Sequence, residues 1–251
     1  MSNSRIVWLG ADDPPDAFPS TDQALTEPDG LLAAGGDLST DRLLAAYGRG
    51  IFPWYDEGQP ILWWSPDPRC VLRPADLHIS KRLAQYARRS TLTLRFNHAF
   101  SDVIRACAGE RRSEQGTWIT ADMIAAYARL HAAGWAHSIE VWDQERLVGG
   151  LYGLCIGRVF FGESMFSRVD NASKFAMFGL TQHMLASGLE LVDCQVVSRH
   201  LMTLGATTIP RSEFKQMLRT LCQPATSFTD WPTESLAVAE SLQELGAAAL
   251  Q

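Results

Sequence analysis

Residues 137–166 read HSIEVWDQERLVGGLYGLCIGRVFFGESMF, and the fold turns on how this stretch is divided. HSIEVW (137–142), RLVGGLYGLCI (146–156) and RVFFGESMF (158–166) are rich in β-branched and aromatic residues. DQE and Gly157 separate them, which predicts an antiparallel meander of three strands. Next, Asp170 or Asn171 caps a helix, NASKFAMFGLTQHMLASG, whose Ala172, Phe175, Met177, Phe178, Leu180 and Met184 give it a broad apolar surface that ends at Gly188. LELVDCQVV (189–197) then reads as a buried strand, with two short helices after it, RHLMTLG and RSEFKQMLRTLC.

Upstream of the meander, ISKRLAQYARR is helical, LTLRFN (92–97) is a strand and AFSDVIRACAGERR is a helix with Ala99, Val103, Ala106 and Cys107 on one face. Thr120 caps a further helix, ADMIAAYARLHAAG, closed by Gly134. The order strand–strand–strand–helix–strand–helix predicts an α+β fold: an acyl-CoA N-acetyltransferase-like (GNAT-like) domain with a mostly antiparallel central sheet and flanking helices. Nine of the twelve prolines precede residue 75, which sets off a small Pro/Trp-rich N-terminal domain (1–74) from the larger one (75–251). Within the first, DRLLAAYGRG is a helix capped by Asp37 or Ser39 and ended by Gly48 or Gly50. The tail after residue 224 is weakly patterned and is expected to be partly ordered at most.

The 46% hydrophobic and 20% charged residues suit a water-soluble globular chain without a membrane span or a secretory signal. Five scattered cysteines, with no C-x-x-C pair, point to reduced thiols, a cytoplasmic setting and no metal site. A net charge of −6 gives no general attraction for nucleic acid, so such a partner needs a local basic patch.

A CoA-dependent enzyme of this fold carries Q/R-x-x-G-x-G/A at the start of a helix, where backbone N–H groups hold the pyrophosphate. The nearest match, Arg146-Leu-Val-Gly149-Gly150-Leu151, runs on into a strand and ends in leucine, so it is read as coincidence. GGD at 35–37 lacks the G-K-[ST] of a phosphate loop, and Gly162-Glu-Ser164 lacks the second glycine of a nucleophile elbow. Two polar clusters remain. Asp193 and Gln195 are two apart on one strand and share a face, and Glu163, set among phenylalanines, can lie on the same sheet. Each alone is equally well a cap or an ion-pair member, whereas the three together beside Met165 and Phe166 read as a lined pocket. The second cluster is basic: Lys81, Arg82, Arg88, Arg89 and Arg95, with Arg105, Arg111 and Arg112 beyond. It is either a solvated helix face or a phosphate-binding face, and Trp54 and Trp118 favour nucleic acid because aromatic faces stack bases.

EPDGLLAAGGDLS, GIFPWY, ILWWSPDPR, GTWIT, AHSIEVW, GGLYG, FGESMFS, NASK and DCQV, in this order, resemble the bacterial leucyl/phenylalanyl-tRNA–protein transferase family from about Phe18 to Arg211. That resemblance implies transfer of Leu or Phe, and Met less well, from tRNA to the α-amino group of proteins beginning with Arg or Lys. The product is marked for degradation in the bacterial N-end rule pathway. It also implies the acetyltransferase-like fold with neither CoA nor metal, and a cytoplasmic monomer with no membrane partner. Residue by residue, it assigns Asp193 and Gln195 to catalysis and Glu163 to binding the acceptor peptide. The aminoacyl side-chain pocket would be formed by Leu151, Met165, Met177, Leu180, Met184 and Val192. Trp54 and Trp118 would contact the 3′-terminal adenosine, and Lys81, Arg88 and Arg89 the tRNA phosphates; Gln85 stands where the family usually has another cation.

The chemistry supports those roles. An aminoacyl ester is already activated, so the enzyme must position a neutral amine and stabilise developing charge. A carboxylate such as Glu163 or Asp193 is the natural counter-charge for an N-terminal Arg or Lys. A carboxamide is too weak a base to hold a proton, so Gln195 is expected to orient the amine, with Asp193 fixing Gln195 and balancing positive charge as the amine attacks. The alternatives are a tRNA-dependent builder of cell-wall cross-bridges, which would need a coiled-coil arm, and an RNA-binding module, which would leave the Glu163/Asp193/Gln195 set without purpose.

Overall fold

The computed structural model describes residues 6–114, 118–223 and 225–248. The N-terminal part holds a four-stranded sheet in the order β1-β2-β4-β3, from β1 (Val7–Leu9), β2 (Leu31–Gly35), β3 (Phe52–Pro53) and β4 (Leu62–Trp64). Between β2 and β3 runs α1 (Thr40–Tyr47), where Ser39 accepts the Arg42 N–H as N-cap and Asp37 accepts the Ser39 N–H.

Eight strands form the second sheet: β5 (Arg69–Leu72), β6 (Thr93–Phe96), β7 (Ala136–Asp143), β8 (Arg146–Ile156), β9 (Val159–Ser167), β10 (Leu191–Gln195), β11 (Thr207–Ile209) and β12 (Leu236–Ala237). Their order is β11-β5-β10-β9-β8-β7-β6-β12, antiparallel everywhere except between β9 and β10. The fold is α+β with a mostly antiparallel sheet, and the meander β7–β8–β9 lies at its centre. The first strand of this sheet, β5, sits on the N-terminal side of residue 74.

Helices cover both faces, which is why β8 and β10 are buried almost throughout and read as continuous apolar runs rather than alternating ones. One face carries α2 (Lys81–Arg88), α5 (Ala172–Ser187) and α8 (Val238–Ala248), packed through Leu83, Phe175, Phe178, Leu180 and Leu242. The other carries α3 (Phe100–Glu114), α4 (Ala121–Ala132) and α7 (Arg211–Leu221), through Val103, Ile104, Met123, Phe214 and Leu218. The short α6 (Arg199–Thr203) follows β10.

Three expectations change. Asn171 occupies the cap of α5 in a left-handed conformation, but its side chain makes no cap bond and instead accepts from Lys174. The strand expected over 189–197 stops at Gln195, where φ reaches 62° and the ladder with β5 slips; Val196 and Val197 are exposed. The tail, expected to be partly ordered at most, adds β12 and α8, and Trp231 stacks on His137 with ring centroids 4.3 Å apart. Burial of Val238, Leu242 and Trp231 supplies the order that the weak local pattern did not reveal. Gly116 and Thr117 of GTWIT, Pro224, and the side chains of Arg111 and Arg112 lie outside the described residues.

Candidate active site

Two bulges place the polar groups. In β9, Gly162 opposes Gly153 and Ser164 opposes Tyr152, so Glu163 is the extra residue between them. In β10, Asp193 opposes Val71 and Gln195 opposes Cys70, which makes Cys194 the extra residue. A bulge bends its strand and re-aims a side chain. Here the two bulges fall on the adjacent strands β9 and β10, which run parallel and pair only through Leu191–Asp193 with Val159–Phe161. Beyond that short ladder Glu163 and Gln195 meet, with the Gln195 Nε2 donating to the Glu163 Oε1 at 2.8 Å.

Glu163 is held by two further partners, one from α1 and one from α4. The Tyr47 hydroxyl at the end of α1 donates to its Oε1 at 2.6 Å, and the Tyr127 hydroxyl of α4 donates to its Oε2 at 2.9 Å. The two phenols also touch one another. A carboxyl this deeply buried is costly to ionise even with three hydrogen-bond partners. Burial accordingly raises the Glu163 carboxyl to about 7, the neighbouring Asp193 charge adding to the rise and the bonds from Tyr47, Tyr127 and Gln195 opposing it. Burial, then the Glu163 charge, pushes both phenols well above their ordinary range.

Asp193 is committed elsewhere. Arg69 of β5 donates its Nε to Oδ1 at 2.8 Å and its Nη2 to Oδ2 at 2.6 Å, with both side chains fully buried. The guanidinium lies between the rings of Phe52 and Phe214, 4.9 and 4.7 Å from their centroids, and its Nη1 bonds the Gly50 carbonyl. The Asp193 Oδ1 in turn accepts the backbone N–H of Gln195 at 2.9 Å, pinning that residue in its left-handed conformation. A buried aspartate neutralised by a two-pronged arginine is a fixture that sets the shape of the strand end.

The Glu163–Gln195 pair opens on a cavity of about 400 Å³. Five of the six residues expected for an aminoacyl pocket line it: Leu151, Met165, Met177, Leu180 and Val192. Met184, the sixth, is fully buried in the core around α5 and does not reach the cavity wall; it is one helical turn further along from Leu180. Trp54, 42% exposed, and Trp118 stand on the same cavity. Asp193 does not line it, being behind the wall. The Gln195 Oε1 takes no hydrogen bond from any described residue, which leaves an acceptor facing the cavity.

The basic residues lie apart. Lys81, Arg88 and Arg89 are exposed on α2, and among the described residues no carboxylate pairs with them or with Arg82. Arg95 differs, bonding Glu145 and lying over Trp142, and Arg105 pairs with Asp102. Tyr47, Tyr127 and Arg69 are the site residues that sequence reasoning missed. Arg69 left one hint, a cation heading the otherwise apolar RCVL.

An apolar cup that ends at a carboxylate and a carboxamide suits the joining of a hydrophobic acyl group to an amine whose side chain is cationic, which is the work of an aminoacyltransferase. Comparison with known proteins gives the narrower identity. Residues 36–67 match the family model described as the leucyl/phenylalanyl-tRNA protein transferase N-terminal domain, and residues 71–219 match that of leucyl/phenylalanyl-tRNA protein transferase itself. The leucyl/phenylalanyl-tRNA–protein transferase of Pseudomonas syringae pv. syringae is 56% identical over 215 residues, covering 85% of this chain and 93% of its own length. Its counterpart in Pseudomonas aeruginosa is 55% identical over 227 residues, 90% of this chain and all of the relative, and that of Yersinia pestis is 54% identical over 226 residues. The chain belongs to the leucyl/phenylalanyl-tRNA–protein transferase family.

Proposed function

We propose that this chain moves Leu or Phe, and Met less well, from aminoacyl-tRNA to the α-amino group of proteins that begin with Arg or Lys, working as a cytoplasmic monomer whose products enter the bacterial N-end rule pathway. The observation that carries this reading is the Glu163–Gln195 pair facing an apolar cup. Leu151, Met165, Met177, Leu180 and Val192 take the acyl side chain; Trp54 and Trp118 take the terminal adenosine, and Lys81, Arg88 and Arg89 the phosphates. The divergence of β9 and β10 beyond their short parallel ladder also supports an acetyltransferase-like ancestry for the frame.

In the reaction, the free Gln195 Oε1 accepts an N–H of the incoming amine and aims its lone pair at the ester carbonyl. As the C–N bond forms and the ester C–O bond breaks, the amine loses a proton and the ribose oxygen gains one. Glu163 balances the positive charge that the acceptor's first residue brings into the site. Asp193 acts at one remove, by fixing the Gln195 backbone. The ester is activated before it arrives, so the chemistry calls for no cofactor. The test is transfer of labelled Leu from Leu-tRNA to a protein beginning with Arg, against the same protein beginning with a neutral residue. Transfer to the first alone is expected; no transfer to either overturns the reading.

A further inference from the structure

Two cysteines face one another across neighbouring strands at the cavity wall. Cys70 lies on β5 and Cys194 on β10, neighbouring antiparallel strands whose register sets Cys70 opposite Gln195. Because Cys194 is the extra residue of the bulge, it and Gln195 together face the single Cys70. Both cysteines are free, buried and part of the same apolar cluster, so their side chains leave the sheet on one side. The Cys194 Sγ donates weakly to the Val192 carbonyl at 4.0 Å; interaction between the two thiols lowers Cys70 below the usual thiol range, and the same interaction together with burial pushes Cys194 well above it. In the bulge the Cys194 Cα lies next to that of Gln195, the direct partner of Cys70, and a disulfide bridges Cα atoms roughly 4.4–6.8 Å apart. Cys194 also lines the cavity, which brings a small oxidant in the site next to this residue; Cys70 does not line it.

We propose that Cys70 and Cys194 are an oxidisable dithiol, the site of a reversible disulfide that displaces the strand end carrying Asp193 and Gln195. The oxidant is a hydroperoxide. The Cys194 sulfur takes the distal peroxide oxygen as the O–O bond breaks, giving a sulfenic acid and releasing water or an alcohol. The Cys70 sulfur then attacks the Cys194 sulfur, the S–S bond forms, and the sulfenic oxygen leaves as water with the Cys70 proton. Two thiols and one hydroperoxide thus yield one disulfide, one water and the peroxide's own alcohol or water. The bond draws the two sulfurs together to about 2.05 Å. Cys194 is flanked by the residue that pins Gln195 and by Gln195 itself, so the pull falls on the group that aims the amine. Misplacement by about 1 Å is enough to cost a transferase on the order of a hundredfold in rate. In a reducing compartment such a bond is transient, as expected of a redox-sensing pair.

The experiment treats the full-length protein with hydrogen peroxide, then applies non-reducing peptide mass spectrometry and the transfer assay with Leu-tRNA and a protein beginning with Arg. A Cys70–Cys194 linked peptide lighter by two hydrogens is expected, with transfer falling on the order of a hundredfold and returning after dithiothreitol. Cys70→Ala should instead gain one oxygen on Cys194 and form no link. If that variant fails to fold, the linked peptide in the unaltered protein still decides the matter. Peroxide that leaves both thiols free, links either of them to a different cysteine, or links them without changing transfer overturns the proposal. The mass readout does not depend on the assigned activity, so a failure of that assignment shows separately, as absent transfer before any oxidant is added.

Discussion

A carboxyl that titrates near 7 in the fold and near 4.5 when unfolded makes the protein's stability depend on pH in an unusual direction. Between those values the folded state holds more protons than the unfolded one, so the Glu163 contribution is complete below about 4.5 and is lost as pH rises through about 7. The loss amounts to about 3 kcal/mol at most, at roughly 1.4 kcal/mol per pH unit. Glu163→Gln removes this term: its melting temperature should exceed that of the parent at pH 8 and match it near pH 5, and equal melting curves at pH 8 would refute the buried charge. The same substitution should raise the KM for acceptor proteins on the order of ten- to a hundredfold and erode the preference for Arg or Lys, because a charge-assisted contact is worth about 1.5–3 kcal/mol. Asp193 obeys different physics. Replacing Arg69 with Met strands a buried anion and should cost about 3–5 kcal/mol, whereas Arg69→Met combined with Asp193→Leu should recover most of that stability. The double variant should still transfer poorly, since the Gln195 N–H loses its acceptor; chemical denaturation and kcat measured on the same samples separate the two effects, and a fully active double variant would remove Asp193 from the mechanism.

At the scale of elements, the site depends on how closely α5 approaches the sheet. Gly149 of β8 allows that approach: a Cβ there would sit 2.4 Å from the Ala172 Cβ at the first turn of the helix. The Gly149-Gly150 pair, which superficially suggests a phosphate loop, is thus a packing surface in mid-strand. Gly149→Ala should lift α5, cost about 1–3 kcal/mol, and loosen the cup that Met177 and Leu180 close. Ala172→Gly in the same chain should restore part of the stability in thermal unfolding; no restoration would place the strain elsewhere. The elements themselves were legible because their signals are local: Ser39 and Thr120 cap helices where side-chain spacing puts them, and Gly157 turns β8 into β9 with φ 57°. Glu163 and Gln195 were legible for the same reason, each being a polar group in an apolar run. Their partners were not. Tyr47 lies 116 residues from Glu163 and Arg69 lies 124 from Asp193, and no periodicity links positions so far apart. The bulges escaped too, because strict alternation carries Asp193 and Gln195 along one straight strand, whereas the inserted Cys194 turns the chain at that point.

Over the whole molecule, one arrangement joins the apolar cup to the charged helix. Tyr86 of α2 stacks on Phe175 of α5 at 5.9 Å between ring centroids, and α5 supplies Met177 and Leu180 to the cavity. A long nucleic acid lying on α2 could therefore deliver its end to the cup while its phosphates meet Lys81, Arg88 and Arg89. The chain carries a net charge of −6, so phosphate on this face would be held against a repulsive background, by cations with which no described carboxylate pairs. Each phosphate contact releases condensed counterions and contributes about 0.7–0.9 to the slope of log affinity against log salt. Replacing all three residues with alanine should raise the KM for aminoacyl-tRNA, flatten that slope by up to about 0.9 per lost contact, and leave kcat at saturating tRNA unchanged. Stability should move by no more than about 0.5 kcal/mol, since the three side chains are exposed. Measuring KM across a series of salt concentrations distinguishes the possibilities. A raised KM with the parent slope would mean that the substitutions disturbed α2 and its stack on α5, and an unchanged KM would mean that these cations serve only to keep the helix face in water.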